Sequence, residues 1–96
     1  MSINPKDPAE IVTLSYDFAN LTATPSAPVV TISVLTGVDA GVAAMLIGAP
    51  VLSGTKVLQQ VGSGVAGVDY TVRFQVDAPD GDRYIEAQKL MVRTAK

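Results

Sequence analysis

A glycine-rich segment is the part of this sequence that most resembles a cofactor motif. Residues 62–67 read GSGVAG, which has the G-x-G-x-x-G spacing that cradles a dinucleotide pyrophosphate when a strand precedes it and a helix follows. The residues that follow, 70–74, alternate apolar and polar side chains, which is typical of a strand. We therefore interpret residues 62–67 as a glycine turn and predict no cofactor.

Acidic side chains concentrate in a second segment, where Asp77, Asp80 and Asp82 lie close together and Glu86 follows. Hard cations such as Ca²⁺ need several oxygen ligands around one point. Gly81 stands between Asp80 and Asp82, so the spacing departs from the D-x-[DN]-x-[DN]-G pattern of a calcium loop. We interpret these residues as solvated acids of a turn and predict no metal site, with a weak Ca²⁺ site as the alternative.

The side chains on which most catalysis depends are missing from the sequence. It contains no His and no Cys, which excludes imidazole-based triads, thiol catalysis and zinc sites with His or Cys ligands. Glu10, Asp17 and Asp69 are scattered near predicted strand ends, whereas glycoside chemistry needs two carboxyl groups that face one cleft. We predict no catalytic residues and no enzyme activity.

Composition limits the partners. The chain has 96 residues, of which 48% are apolar and 17% charged, and seven Lys and Arg against nine Asp and Glu give a net charge of −2. Without a basic field we predict no nucleic-acid binding. The longest apolar run, 42–52, is interrupted by Gly48 and Pro50 and is shorter than the roughly 20 residues of a spanning helix, so we predict no membrane insertion. The polar opening lacks a secretory signal pattern, which indicates synthesis in the cytoplasm.

The residue types and their periodicity predict many short strands. Val, Ile and Thr make up 27 of the 96 residues, and these β-branched types pack well on a pleated sheet. Turns recur about every 8 to 12 residues, which is typical of an immunoglobulin-like sandwich. We predict an all-β fold, an immunoglobulin-like β-sandwich of about seven antiparallel strands, with residues 1–10 as an N-terminal extension and 11–96 as one domain. The predicted strands cover 11–18, 29–36, 42–48, 50–53, 55–61, 69–78 and 83–93.

Three local details carry specific expectations. Residues 40–47 fit either a strand, which we favour, or a short helix capped by Asp39. Tyr70 opens the clearest alternating strand, so we expect its ring to be buried at a corner with its hydroxyl bonded to nearby backbone. In residues 83–93 the apolar positions change face after Ala87, and we expect a β-bulge near 88–89 to realign them.

Two stretches resemble known proteins. Residues 64–74, GVAGVDYTVRF, resemble the glycine turn and Tyr-led strand of fibronectin-III and related immunoglobulin-like domains. Residues 6–18, KDPAEIVTLSYDF, resemble the opening K-D-P-D-E-x-x-x-Y-x-x-D-W/F of small structural proteins of tailed bacteriophages and prophages. Later segments of those proteins are matched more loosely by 48–57, 62–70 and 80–83. The departures are Phe18, where Trp is common, and the Ala-rich residues 41–44.

The resemblance implies a non-enzymatic virion or morphogenesis protein that works through protein–protein contacts. The expected partners are further copies of the chain or other virion proteins, and the expected location is the virion after synthesis in the bacterial host. The alternative is an immunoglobulin-like module that recognises a carbohydrate or host-surface molecule through its loops. We expect the apolar segment 42–52 to supply a contact surface. The predicted interaction residues are Met45, Ile47, Val51 and Tyr84.

Overall fold

In a computed structural model of the chain, residues 6–94 are described, and they form six strands and one short 3₁₀ helix. The all-β prediction is confirmed, while the described residues contain six strands rather than about seven. No helix in this part of the chain is long and apolar enough to cross a membrane. The strands are β1 (Val12–Asp17), β2 (Ser26–Thr36), β3 (Leu46–Ser53), β4 (Lys56–Val61), β5 (Asp69–Asp77) and β6 (Arg83–Met91), with the 3₁₀ helix (Val42–Met45) between β2 and β3.

The strands form two antiparallel three-stranded sheets, in the orders β1-β4-β3 and β2-β5-β6. Both sheets contribute to one hydrophobic core. Val57 and Val61 enter it from the central strand of the first sheet, and Phe74 enters it from the central strand of the second. Alternation explains this burial, because successive side chains of a strand point to opposite faces.

Strand β5 follows its predicted pattern along its whole length. Tyr70, Val72, Phe74 and Val76 are fully buried, and the intervening residues face outward. The strand is paired on both sides, and every second side chain lies in the core. The segment 62–67 is followed by this strand, with only Val68 between them, as the glycine-turn interpretation requires.

The prediction of a β-bulge in the last strand is wrong. β6 pairs with β5 in one unbroken register from Asp69↔Met91 to Asp77↔Arg83. Its inward side chains are Tyr84, Glu86, Gln88 and Leu90, whereas Ile85 faces outward and is 42% exposed.

Glu86 and Gln88 tolerate the inward positions because each has a polar partner on β1. Glu86 Oε1 accepts a hydrogen bond from the Tyr16 hydroxyl at 3.1 Å, and Gln88 Nε2 donates to the Ser15 carbonyl oxygen at 3.0 Å. These bonds join the edge strands of the two sheets, so polarity at the inner face of β6 is satisfied without a change of register.

Residues 40–47, which fit either a strand or a short helix, contain parts of both. Residues 42–45 form the 3₁₀ helix, so the strand prediction is wrong there, and β3 begins at Leu46. Asp39 does not cap this helix. Its carboxylate accepts a bond from the Gly41 amide at 2.9 Å and another from the Tyr70 hydroxyl at 2.7 Å.

The N-terminal segment joins the sheet earlier than the predicted domain start at residue 11. Lys6 forms a parallel bridge with Val92, and its amide donates to the Met91 carbonyl at 2.8 Å. Its side chain is 2% exposed. Nζ donates to the Ser63 carbonyl at 2.6 Å and to the Asp7 carbonyl at 2.8 Å. Burial lowers the pKa of this ammonium group, while the nearby carboxylates of Glu10 and Asp7 act in the opposite direction.

Candidate interaction surfaces

Charge is distributed very unevenly along the chain. Of its 16 charged residues, only Asp39 lies within residues 18–55. That segment contains β2, β3 and the 3₁₀ helix between them. β2 and β3 are each an edge strand of one sheet, and they lie against each other. We call this side, residues 26–53, the uncharged flank.

Asp39 does not bring a free charge to the uncharged flank. Both of its carboxylate oxygens accept hydrogen bonds, one from the Gly41 amide and one from the Tyr70 hydroxyl, and the side chain is half-buried.

Exposed apolar side chains concentrate in the same part of the chain. Among the described residues, nine large hydrophobic residues are exposed, and six of them fall within 18–55. They do not form one patch: Ile47 and Val51 line a depression on the β1-β4-β3 sheet, whereas Val29 lies beside Arg73 on the other sheet. The six are Leu21, Val29, Leu35, Val38, Ile47 and Val51.

The outer face of the β1-β4-β3 sheet extends this uncharged surface. The registers align Thr13, Gln60 and Ile47 in one row across the three strands, and Ser15, Leu58 and Val51 in the next. Neither row contains a charge, and charges begin only in the third row, with Asp17 and Lys56. A shallow depression of about 300 Å³ lies over the first two rows, lined by Thr13, Ile47, Ala49, Val51, Leu58 and Gln60.

The four predicted interaction residues do not lie together. Ile47 and Val51 share the outer face and are 38% and 58% exposed. Met45 is 1% exposed, so the prediction of a contact role for its side chain is corrected to a role in the core. Tyr84 lies on the inner face of β6 in the other sheet, where it is half-buried and packs against the core.

Sequence reasoning missed the part of this face that β1 and β4 supply. Leu58 was the available signal, because it is apolar yet alternates out of phase with the core residues Val57 and Val61. Thr13 and Gln60 carried no comparable signal, because uncharged polar side chains are ordinary on any exposed strand.

A second opening lies between the edges of β1 and β6. It has a volume of about 460 Å³ and is lined by residues 13–16 and 87–89. The Tyr16 ring contacts Phe18 edge-on, with 4.8 Å between ring centroids. Burial raises the pKa of the Tyr16 phenol, and the hydrogen bond to Glu86 raises it further.

The acidic side chains that could have done chemistry are engaged by neighbours. Asp77 pairs with Arg83 at 2.9 Å, and Asp69 accepts a bond from Arg93 at 2.8 Å, which lowers the pKa of the Asp69 carboxyl. Asp80 accepts a bond from the amide of Asp82. Within residues 6–94, no three acidic side chains converge in a way that could hold a metal ion.

The predicted corner of Tyr70 is confirmed. The ring is fully buried, and the hydroxyl accepts a hydrogen bond from the Val65 amide at 2.9 Å. The same hydroxyl donates to Asp39. Tyr70 therefore ties the loop before β5 and the loop after β2 to the core.

Tyr70 gives the stability of the protein an alkaline limit. Burial raises the pKa of the phenol above its ordinary value of 10.0; the bond from Val65 opposes this and the bond to Asp39 adds to it. The unfolded chain therefore ionises first, so the contribution of Tyr70 is complete below pH 10.0 and is lost as pH rises through the raised pKa.

We expect the difference in free energy of unfolding between the wild type and Tyr70→Phe to shrink above pH 10.0. Urea unfolding of both proteins at a series of pH values from neutral to alkaline measures this difference. Because Lys6 is present in both proteins, its lowered pKa cancels in the comparison. A difference that stays constant through the alkaline range would contradict the assignment.

Comparison of the chain with models of protein families, with curated proteins and with solved structures finds no match.

Proposed function

We propose that this chain is an immunoglobulin-like structural protein of a tailed bacteriophage or prophage, which is incorporated into the virion and acts through protein–protein contacts rather than catalysis. It is made in the cytoplasm of the bacterial host. Its partners are further copies of itself or other virion proteins. The resemblance of residues 6–18 to the opening of such proteins supplies the class of protein, and the surface of the fold supplies the mode of action.

The strand order supports the immunoglobulin-like part of the proposal. Constant-type immunoglobulin domains place strands A, B, E and D in one sheet and C, F and G in the other. The pairing β1-β4-β3 corresponds to B-E-D, and β2-β5-β6 corresponds to C-F-G. Tyr70 then lies near the start of strand F with its hydroxyl bonded to backbone a few residues upstream, which is the position of the tyrosine corner in such domains.

The observation that carries the functional proposal is the uncharged flank together with the outer face of β1-β4-β3. Removing charged groups from water is costly unless each finds a partner. Covering these surfaces carries no such cost, because two rows of the outer face and the whole flank lack an unbonded charge. Burial of exposed apolar residues such as Val51 then favours association.

The role in the particle is tested in the host that carries the gene. Particles are induced and purified, and this chain is quantified in them by mass spectrometry relative to their major proteins. We expect the chain to be present in a fixed ratio. Its absence from particles, although it is expressed in the same cells, would contradict the virion role.

The contact surface is tested separately with Ile47→Lys/Val51→Lys. Each substitution places an ammonium group on the outer face, so we expect incorporation into particles to fall roughly tenfold or more, while the circular dichroism spectrum and melting temperature stay close to those of the wild type. The matched control is Ile85→Lys, which changes an equally exposed residue on the outer face of the other sheet. Normal incorporation of the double variant would place the contact elsewhere and leave the virion role intact.

A further inference from the structure

Each sheet has two edge strands, and three of the four edges are protected against pairing with another chain. Edge strands are commonly protected by charge, proline, bulges or a covering segment. β3 has a register shift between Ile47 and Val51, with Gly48 at a φ of 71° and Pro50 inside the strand. β2 lies against β3 and the 3₁₀ helix, and it has register shifts near both ends.

The edge of β6 is protected by charge and by pairing. Arg83 and Lys89 project from it, and the bridge between Lys6 and Val92 occupies the chain just beyond its C-terminal end.

Within residues 6–94, no bulge and no paired strand protects the edge of β1, where the Gln88 side chain bonds to the Ser15 carbonyl. This strand pairs with β4 in an unbroken six-residue register, and it contains no charged residue and no proline before Asp17. Its outward side chains, Thr13 and Ser15, are exposed. The opening of about 460 Å³ runs beside this strand, so its free edge borders open space.

Two hydrogen bonds show which backbone groups of β1 face the free edge. The Phe18 amide donates to the Thr55 carbonyl next to β4 at 2.9 Å, so the even-numbered residues of this strand bond to β4. The Ser15 carbonyl accepts from Gln88, on the side away from β4. The amides and carbonyls of Thr13 and Ser15 therefore point to the free edge, and a carbonyl that already accepts one bond can accept a second.

We propose that β1 pairs in antiparallel fashion with β1 of a second copy of this chain, around a twofold axis at Leu14. In this register Thr13 lies opposite Ser15 of the second copy, and each pair can exchange two backbone hydrogen bonds. Tyr16 lies opposite Val12, an aromatic and β-branched pair of the kind that stabilises sheets. Asp17 lies opposite Ile11, so the register brings no like charges together.

The identity of the partner follows from this self-complementarity. The same five residues, 12–16, supply both sides of the pairing, and the polar and apolar positions match themselves after the twofold rotation. Pairing joins the two β1-β4-β3 sheets into one six-stranded sheet, whose outer face carries the two uncharged rows of each copy. The inference is independent of the virion role, because it rests on the edge of β1 alone.

The test uses paired charges at positions 13 and 15. T13K/S15K places an ammonium group opposite an ammonium group twice in the dimer, because position 13 faces position 15 of the second copy. T13K/S15E places opposite charges at the same two contacts. Both variants change the same exposed side chains and leave the backbone and the core untouched, so each controls for the other.

Mass is measured by sedimentation equilibrium from low to high micromolar concentration, with circular dichroism to verify the fold. We expect the wild type to dimerise, T13K/S15K to dimerise at least about tenfold more weakly than T13K/S15E, and T13K/S15E to regain dimerisation. A wild type that stays monomeric overturns the proposal, and then an extended strand of a different protein is the remaining occupant of this edge. Equal dimerisation of all three proteins also overturns it, because the copies then meet through another surface.

Discussion

We expect Tyr70→Ala to lower the free energy of unfolding by about 3 to 5 kcal/mol. The ring is fully buried in the core that both sheets share, so its removal leaves a cavity that the surrounding strands can fill only in part. The substitution also removes the hydroxyl that holds Val65 and Asp39. Urea or thermal unfolding measures the effect, and a loss of this size is a large fraction of the stability of a small domain.

Tyr70→Phe separates the ring from the hydroxyl. It keeps the packing and removes both hydrogen bonds, so we expect a loss of about 1 to 3 kcal/mol, because one of the bonds is made to a carboxylate. Tyr84→Ala is the matched control for the loss of a tyrosine, since Tyr84 is only half-buried at the sheet edge. If Tyr70→Ala unfolded at the same denaturant concentration as the wild type, the assignment of this ring to the core would be contradicted.

The sequence predicted β5 well because local alternation decides its structure. It is a central strand, and every second residue, from Tyr70 to Val76, enters the core. No distant partner changes that outcome. The corner role of Tyr70 followed in the same way, because its hydroxyl bonds to an amide only five residues upstream.

The sequence failed at β6 because partners far along the chain decide its register. Glu86 and Gln88 face inward only because β1 supplies the Tyr16 hydroxyl and the Ser15 carbonyl, which lie 70 and 73 residues away. Ile85 and Ala87 suggested one inward face and Leu90 the opposite one, and a bulge was the local way to reconcile them. The inward side of an edge strand is therefore the place where alternation alone misleads.

The candidate surface was predictable in part for the same reason. The apolar excess of residues 42–52 was visible, but the 3₁₀ helix turns Met45 into the core while β3 leaves Ile47 and Val51 on the outer face. The buried Lys6 was not predictable, since its carbonyl partner, Ser63, is 57 residues away. The unprotected edge of β1 appears only once the sheet order is known.

The glycines of residues 62–67 allow a test of what that segment is for. Gly64 has a φ of 101°, and a Cβ at this position would lie 2.9 Å from Val92 Cγ2 and 3.1 Å from Met45 Cε. Val92 and Met45 are both buried, so each would have to shift within the packed core to make room. We expect Gly64→Ala to lower the free energy of unfolding by about 2 to 6 kcal/mol, from backbone strain and overpacking together.

Two other glycines separate these causes. Gly81 has a φ of 93° with no atom within 4 Å of an added Cβ, so Gly81→Ala measures strain alone, and we expect a loss of about 1 to 3 kcal/mol. Gly62 has no positive φ, and an added Cβ would meet only the flexible end of exposed Ile47 within 3 Å. We expect Gly62→Ala to cost about 1 kcal/mol or less.

The order of the three losses therefore reports the packing behind the loop. A Gly64→Ala loss equal to that of Gly81→Ala would mean that Val92 and Met45 move aside at no cost, which contradicts a tightly packed core at this end of the sheets. A larger loss at Gly64 means that the fold itself requires a residue without a side chain at this position. The second glycine of the G-x-G-x-x-G spacing then follows from the close approach of the loop to Val92 and from the left-handed turn at Gly64, and a bound phosphate is not needed to explain it.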